Sequence, residues 1–272
     1  MKFSVLMTTY NGEEPENLDI ALKSILVEQT HIPDQVVLVC DGPLNEKLND
    51  VVTDYQKRFQ DILNVVRMPI NQGQSKASAE GMKHIRYDLV ARMDSDDISV
   101  PRRFEKELVV FAQHPEVSVV GGLIKEFASK PNENGLLRVV PQNDEEIVKA
   151  FRNRTPVNNV TVMMRRVAIE NAGGYGRNTV NEDYSLYAHM WVNGEVFYNI
   201  QEVLVNVRVG NGMTKRRTDL RIFRDWVKDQ VFLYKNHKHT LGVSVISSVK
   251  CFLFVIMPSG LKSIVYKKIL RK

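Results

Sequence analysis

Apolar residues along this chain alternate between two spacings, one of strand type and one of helix type. Phe3-Ser4-Val5-Leu6-Met7 is a short apolar strand closed by the polar stretch Thr8-Thr9-Tyr10-Asn11-Gly12. Asn11-Gly12 and Pro15 punctuate a loop, and Leu18, Ala21, Leu22, Ile25 and Leu26 then recur at helical spacing. Gln35–Cys40 predicts a second strand, ended by Asp41-Gly42-Pro43. A helix through Tyr55 and Phe59 precedes a third strand over Leu63–Met68, and Asn71-Gln72-Gly73 marks a loop before a helix over Ser75–Ile85. A fourth strand, Asp88–Met93, runs into Asp94-Ser95-Asp96-Asp97, and Pro101-Arg102-Arg103-Phe104 opens the next helix. Val117–Gly122 reads as a fifth strand.

Strands alternating with helices of this length predict parallel βαβ units in an α/β fold, with helices on both faces of the sheet. Right-handed crossovers bring every strand's carboxyl end to one edge, where ligands bind in open α/β sheets. Four successive junctions deliver polar groups there: Thr8, Tyr10 and Asn11; Asp41; Asn71 and Gly73; Asp94, Asp96 and Asp97. Beyond Gly122 the alternation breaks. Residues 123–142 read as a strand pair around Asn132-Glu133-Asn134-Gly135, Asp144–Phe151 as a helix and Asn159–Met164 as a strand. Helices over Arg166–Ala172 and Glu182–Val192 follow, then two short strands, Val196–Ile200 and Val203–Val209, and a loop over Gly210–Thr214.

With 272 residues, 43% hydrophobic and 25% charged, the chain can hold one large α/β domain or a domain with an appendage. Cys40 and Cys251 are too few and too distant for a disulfide framework, which fits a reducing compartment. The apolar run at Phe3–Met7 is too short for a signal peptide, so a cytoplasmic location is expected. The net charge of +5 hides a split: residues 208–272 hold 15 Lys/Arg against 3 Asp/Glu, or +12, which leaves −7 on residues 1–207. A basic appendage on an acidic body predicts attraction to an anionic surface.

Three carboxylates within four residues at a strand's end repel one another unless a cation sits among them. Mg²⁺ or Mn²⁺ would take these oxygen ligands and bridge them to substrate phosphates. The plain structural alternative is an acidic turn capping the next helix. Asp41 can accept a hydrogen bond from a base edge such as the N3–H of uracil, and Tyr10 can stack on that base. Turn initiation and a half-buried rim aromatic are the structural alternatives for these two residues. No Gly-rich phosphate loop is present, so diphosphate charge falls to a metal at Asp94 and Asp96, helped by Lys76. Glu182-Asp183 opens a helix, where carboxylates complement the dipole. Facing a metal–diphosphate leaving group, such a carboxylate would instead take a proton from an attacking hydroxyl.

The succession Thr8-Thr9-Tyr10-Asn11, Asp41-Gly42, Asn71-Gln72-Gly73, Ala91-Arg92-Met93-Asp94-Ser95-Asp96-Asp97, Pro101-Arg102-Arg103-Phe104 and Glu182-Asp183 resembles the bacterial family 2 glycosyltransferases over roughly residues 3–209. The resemblance implies a GT-A fold with a Rossmann-like, mostly parallel sheet, an inverting reaction and a nucleotide-diphospho-sugar donor. Uridine is the expected base, with thymidine and guanosine open. Thr8, Tyr10, Asn11 and Asp41 would hold the nucleoside, and Asn71, Gly73, Lys76 and Ser95 would complete the donor side. Asp94 and Asp96 would form the D-x-D element for ribose and metal, with Asp96 the direct ligand. Asp183 would be the general base, with Glu182 beside it touching the acceptor. Cys40-Asp41-Gly42-Pro43 departs from the Asp-Asp-Gly-Ser frequent in relatives. Gly210-Asn211-Gly212-Met213 stands where many place a histidine, so no third ligand is assigned.

The organisation expected is a catalytic domain over residues 1–214 and a basic helical appendage over residues 215–272. Residues 1–122 would form the donor half and 123–214 the acceptor half. Within the appendage, Leu220, Phe223, Val227, Val231 and Tyr234 are spaced to cover one helix face, expected to pack on the catalytic body. Leu241–Met257 is more apolar but short of the ~20 residues of a spanning helix. Ile264–Leu270, interleaved with lysines, suits a helix lying on an anionic leaflet. Peripheral attachment to the inner leaflet ranks first, ahead of a packed soluble appendage, a homodimer contact or a true span; no motif supports nucleic acid. The expected function is addition of one hexose or N-acetylhexosamine to a lipid-linked glycan in capsule, exopolysaccharide or O-antigen synthesis. Two alternatives compete. A sugar-phosphate nucleotidyltransferase would need a basic loop after the first strand, and Thr8–Glu14 has no Lys or Arg. A non-catalytic nucleotide-sugar-binding subunit would not need the complete carboxylate set.

Overall fold

Strand and helix alternate from the first residues, as the apolar spacing predicts: β1 (Phe3–Tyr10), α1 (Pro15–Leu26), β2 (Gln35–Asp41), α2 (Glu46–Arg58), β3 (Leu63–Arg67), α3 (Gln74–Met82) and β4 (Leu89–Asp94). The computed structural model describes residues 1–128, 135–176, 180–210, 219–258 and 262. A two-residue strand β5 (Ile98–Ser99) follows, then α4 (Arg103–Gln113), β6 (Val117–Phe127), β7 (Leu137–Arg138), α5 (Asp144–Ala150), β8 (Met163–Arg165), α6 (Arg166–Asn171), α7 (Glu182–Val192) and β9 (Val196–Arg208). Helices α8 (Leu220–Lys235) and α9 (Leu241–Ile256) end the described chain.

One sheet runs in the order β3-β2-β1-β4-β8-β6-β9-β5, with β7 on the side of β6. β1 to β4 are mutually parallel, β8 inserts antiparallel between β4 and β6, and β6 and β9 are parallel to each other. Alternate residues of the central strands face opposite layers. Val5, Met7, Val36, Leu38, Ala91 and Met93 pack toward α1, α2 and α4. Leu6, Val37, Val39 and Val90 pack toward α3, α6 and α7.

Three sequence expectations change in this half. The fifth strand and the first strand of the pair expected over 123–142 are one strand, β6, on which β7 pairs as Ile124↔Arg138. The strands predicted at Val196–Ile200 and Val203–Val209 are one strand, because the register on β6 jumps from Gly122↔Ile200 to Leu123↔Val203 and a bulge absorbs Gln201-Glu202. The strand predicted over Asn159–Met164 starts later: Thr161 Oγ donates to Asn158 O at 2.7 Å, and a 3₁₀ turn over Asn159–Thr161 replaces its first half. Asn132–Asn134 and Asn211–Thr214 lie outside the described residues.

Below the rim of β4 lies a fully buried ion pair, Arg103 Nε to Glu107 Oε1 at 3.1 Å, and Arg103 Nη2 also donates to Arg92 O at 2.7 Å. Helix α4 is thereby clamped to the strand that ends in the acidic cluster. Removing one partner of a buried pair leaves an uncompensated charge. Glu107→Ala is expected to lower stability by about 3–5 kcal/mol in denaturant unfolding. A loss under about 1 kcal/mol would show that solvent reaches the site.

The appendage helices pack on the body, but with an unexpected face. Trp226 stacks on Tyr184 with centroids 4.3 Å apart, Gln230 Nε2 donates to Tyr184 Oη at 2.8 Å, and Phe232 stacks on His189 at 3.8 Å. The inward face of α8 is therefore Asp225, Trp226, Asp229, Gln230 and Leu233. The stripe expected to pack is turned away, with Leu220, Val231 and Tyr234 exposed. Helix α9 repeats the inversion. Ser244 and Ser247 are buried against α8, bonded to Gln230 O and Trp226 Nε1, while Leu241, Val245, Val249, Phe252 and Ile256 form an exposed apolar stripe. Among the described residues no helix is long and apolar enough to cross a membrane.

Candidate functional site

The ends of β1, β2 and β4 and the starts of α3 and α7 meet at one rim. At the end of β2, Asp41 is 4% exposed, and its two oxygens accept the backbone N–H groups of Gln72 and Gly73 at 2.7 and 2.8 Å. Gly42 is required there: its φ is +87°, and a Cβ would lie 2.7 Å from Asn71 N. Asp41 thus clasps the Asn71–Gly73 loop that opens α3. Each of its oxygens has two lone pairs, so the carboxylate can still accept from a ligand. Tyr10 is 48% exposed with its ring over Gly12, and Asn11 and Lys76 are also exposed at the rim. Thr8 is half-buried and lies beside Asp94 in the β1–β4 register.

The four residues after Met93 have different fates. Asp94 keeps its carboxylate 32% exposed, receives a hydrogen bond from Gln74 Nε2 at 3.2 Å and faces Arg92 Nη2 at 3.6 Å. Ser95 is buried, and its hydroxyl donates to Glu13 Oε2 at 3.0 Å, tying the rim to the loop after β1. Asp96 is half-buried, with its carbonyl accepting from Arg208 Nε at 3.2 Å. Asp97 is 3% exposed and accepts the backbone N–H of Arg208 at 2.8 Å. Burial and the charges of Asp96 and Asp94 hold the Asp97 carboxyl well above the usual carboxylate range. Asp97 is thus a lock between β4 and β9.

On the acceptor side, α7 starts with Glu182 and Asp183, as the sequence predicts. Burial raises the carboxyl pKa of both, opposed at Glu182 by Arg92 and by a hydrogen bond to Ser75, and at Asp183 by the N–H of Tyr184. Asp183 Oδ1 accepts that N–H at 2.8 Å. The charge of Asp94 acts on both carboxyls, and Arg138 on β7 acts on Asp183. The end of β4 and the start of α7 are thus near enough for their carboxylates to act on one another.

Two exposed or half-exposed carboxylates, an all-oxygen donor set and a neighbouring guanidinium beyond hydrogen-bonding range suit a cation completed by substrate oxygens. No group of three His, Cys, Asp or Glu residues forms a closed cage among the described residues. Sequence reasoning passed over Arg92, Gln74 and Ser75, which connect these carboxylates. A visible signal was the arginine inside an otherwise apolar strand, two residues before Asp94. His189, for which packing is the expected role, stacks on Phe232.

Comparison with known proteins decides the family. The family model described as Glycosyl transferase family 2 matches residues 4–173. The chain belongs to glycosyltransferase family 2. It is 37% identical to the amylovoran biosynthesis glycosyltransferase AmsE of Erwinia amylovora, over 86% of this chain and 84% of that one. A UDP-Gal:alpha-D-GlcNAc-diphosphoundecaprenol beta-1,3-galactosyltransferase of Escherichia coli is 32% identical, over 100% of this chain and 97% of its own. The structure resembles TarS of S. aureus, with a TM-score of 0.69 at 18% identity, covering 99% of this chain and 46% of TarS. This family 2 chain thus spans just under half the length of TarS. Truncated TarS in complex with UDP-GlcNAc gives a TM-score of 0.66. The sheet and its flanking helices form a GT-A fold.

Proposed function

We propose that this glycosyltransferase moves one sugar, with inversion, from a uridine diphosphate sugar to a hydroxyl of a lipid-linked oligosaccharide in bacterial surface polysaccharide synthesis. The sugar is a hexose or an N-acetylhexosamine. The observation that carries the reading is that Asp94, at the end of β4, lies near enough to Glu182 and Asp183 at the start of α7 for its charge to act on both. The amylovoran and diphosphoundecaprenol relatives support the acceptor class.

In this reading Thr8, Tyr10, Asn11 and Asp41 hold the nucleoside, with Asn71, Gly73, Lys76 and Ser95 completing the donor side. Asp94 and Asp96 would hold Mn²⁺ or Mg²⁺, which offsets charge on a departing diphosphate. Asp183 accepts the proton of the acceptor hydroxyl as that oxygen bonds to the anomeric carbon. The bond from that carbon to the diphosphate oxygen breaks, and its electron pair leaves with the nucleotide. Glu182 lies beside the acceptor. Transfer from UDP-galactose, UDP-glucose or UDP-GlcNAc to synthetic undecaprenyl-diphosphate-GlcNAc, with Mn²⁺, is the test. Pyrophosphate release from UTP and a sugar phosphate, with no transfer, would favour the nucleotidyltransferase.

The outward apolar stripes of α8 and α9 support peripheral attachment to the cytoplasmic face of the membrane. Small polar residues between helices with apolar residues outside is the arrangement expected when lipid surrounds the helices. The net +12 of residues 208–272 suits an anionic leaflet. The chain should float with phosphatidylglycerol vesicles and less with phosphatidylcholine alone. Val245→Asp with Leu253→Asp should abolish flotation. Unchanged flotation, or a dimer in solution split by the same pair, would assign the face to something other than lipid.

A further inference from the structure

Arg92 is the largest buried polar side chain whose donors are only partly used. It lies on β4 two residues before Asp94, so both side chains point to the same face of the sheet. Its backbone is held from both sides, N–H to Val162 O at 2.8 Å and carbonyl to Arg103 Nη2 at 2.7 Å. The side chain is 0% exposed. Only Nη1 makes a hydrogen bond, to Ser78 Oγ at 3.1 Å, while Nε and Nη2 have no hydrogen-bond partner. Nη2 lies 3.6 Å from Asp94 Oδ1, and the guanidinium carbon is 5.5 Å from the centre of the Tyr175 ring. The groups whose charge acts on it are Tyr175, Asp94, Glu182 and Tyr187. Glu182 Oε2 is likewise buried without a partner.

Helix α3 supplies the frame for all three charges. Gln74 bonds Asp94, Ser75 bonds Glu182 and Ser78 bonds Arg92, all from its first two turns. A guanidinium with two unpartnered donors thus lies 3.6 Å from the Asp94 carboxylate and within reach of the charge of Glu182. Leaving those donors idle inside a core is costly, which argues that another state of the site uses them.

We propose that Arg92 is a positioning residue that couples donor loading at Asp94 to the placement of Glu182 on the acceptor side. Were Asp94 engaged in holding a cation and diphosphate, the guanidinium would be left to Glu182. Its idle Nε and Nη2 then fix that side chain against the acceptor. Arg92 Nη2 lies 3.6 Å from Asp94 Oδ1, and its charge also acts on Glu182. Coupling between two sites is reciprocal, so a change at Glu182 must be felt in donor affinity. The inference rests on the donor-site reading above.

The test is a double-mutant cycle on the Kd of UDP with Mn²⁺, measured by titration calorimetry. Glu182→Gln returns the full pull of Arg92 to Asp94, against the cation, and should weaken UDP–Mn²⁺ binding by about tenfold. With Arg92→Lys, which keeps the charge but loses the fork, the same Glu182→Gln change should cost less than about threefold. Ser78→Ala, which frees Nη1 and leaves every charge in place, should reduce the coupling in the same direction and serves if Arg92→Lys fails to fold. An equal effect of Glu182→Gln in all three backgrounds would overturn the coupling. Absence of UDP–Mn²⁺ binding by the unaltered chain would instead refute the donor-site reading.

Discussion

Asp183→Asn should lower sugar transfer by about 10²- to 10⁴-fold while leaving UDP and Mn²⁺ binding intact. The substitution keeps the shape of the side chain and the N–H bond from Tyr184 to Oδ1, which is 2.8 Å long. What it removes is the ability to take a proton. The pH dependence sharpens the test. Burial raises the Asp183 carboxyl, opposed by the Tyr184 N–H and by Arg138. A base works only when deprotonated, so the rate should fall as pH drops through that raised value. The acid limb of the unaltered enzyme should therefore lie above that of an exposed aspartate. Glu182 is raised in the same direction, so the limb belongs to the pair, and Asp183→Asn should alter it. Transfer at the normal rate by Asp183→Asn would remove this residue from the mechanism.

Asp96→Asn should lower transfer by about 10³-fold, since an ion at a departing diphosphate contributes several kcal/mol and each 1.4 kcal/mol is a factor of ten. It should also remove the Mn²⁺-dependent part of the rise in Tm that UDP produces, because only ligand bound to the native state raises Tm. Asp97→Asn is the internal control. Its carboxylate is 3% exposed and accepts the N–H of Arg208, so its change should cost stability and leave the Mn²⁺ response in place. If Asp96→Asn keeps the full Mn²⁺ response and Asp97→Asn loses it, the roles of the two carboxylates are reversed.

Much of the donor half is legible in the sequence because its strands lie between helices and are apolar on both faces. Gln35–Cys40 can form little else, and the polar residues that end each run mark the rim by themselves. Helix α7 runs from Glu182 to Val192 as predicted, bounded by Asn181 before and Asn193-Gly194 after. Legibility fails where a residue's role depends on a distant partner. Asp94, Asp96 and Asp97 look alike in sequence, yet Arg208, 111 residues away, takes Asp97 out of the site. Arg92 shows in sequence only as a charge in an apolar strand; that Ser78 of α3 holds it next to Asp94 follows only from the packing of α3 on β4.

The terminal helices show the same division. Periodicity places Leu220, Phe223, Val227, Val231 and Tyr234 on one face of α8. It says nothing about what covers that face. The body offers Tyr184 Oη and the rings of Tyr184 and His189, and these select Gln230, Trp226 and Phe232. By itself the sequence determined the elements, the polar rim, the family resemblance and the charge split, since each follows from local spacing and residue type. Tertiary structure alone decided which carboxylates come near enough to influence one another, which is locked away and which apolar stripes remain outside. Those outcomes depend on contacts between segments far apart in the chain, and no local pattern encodes them.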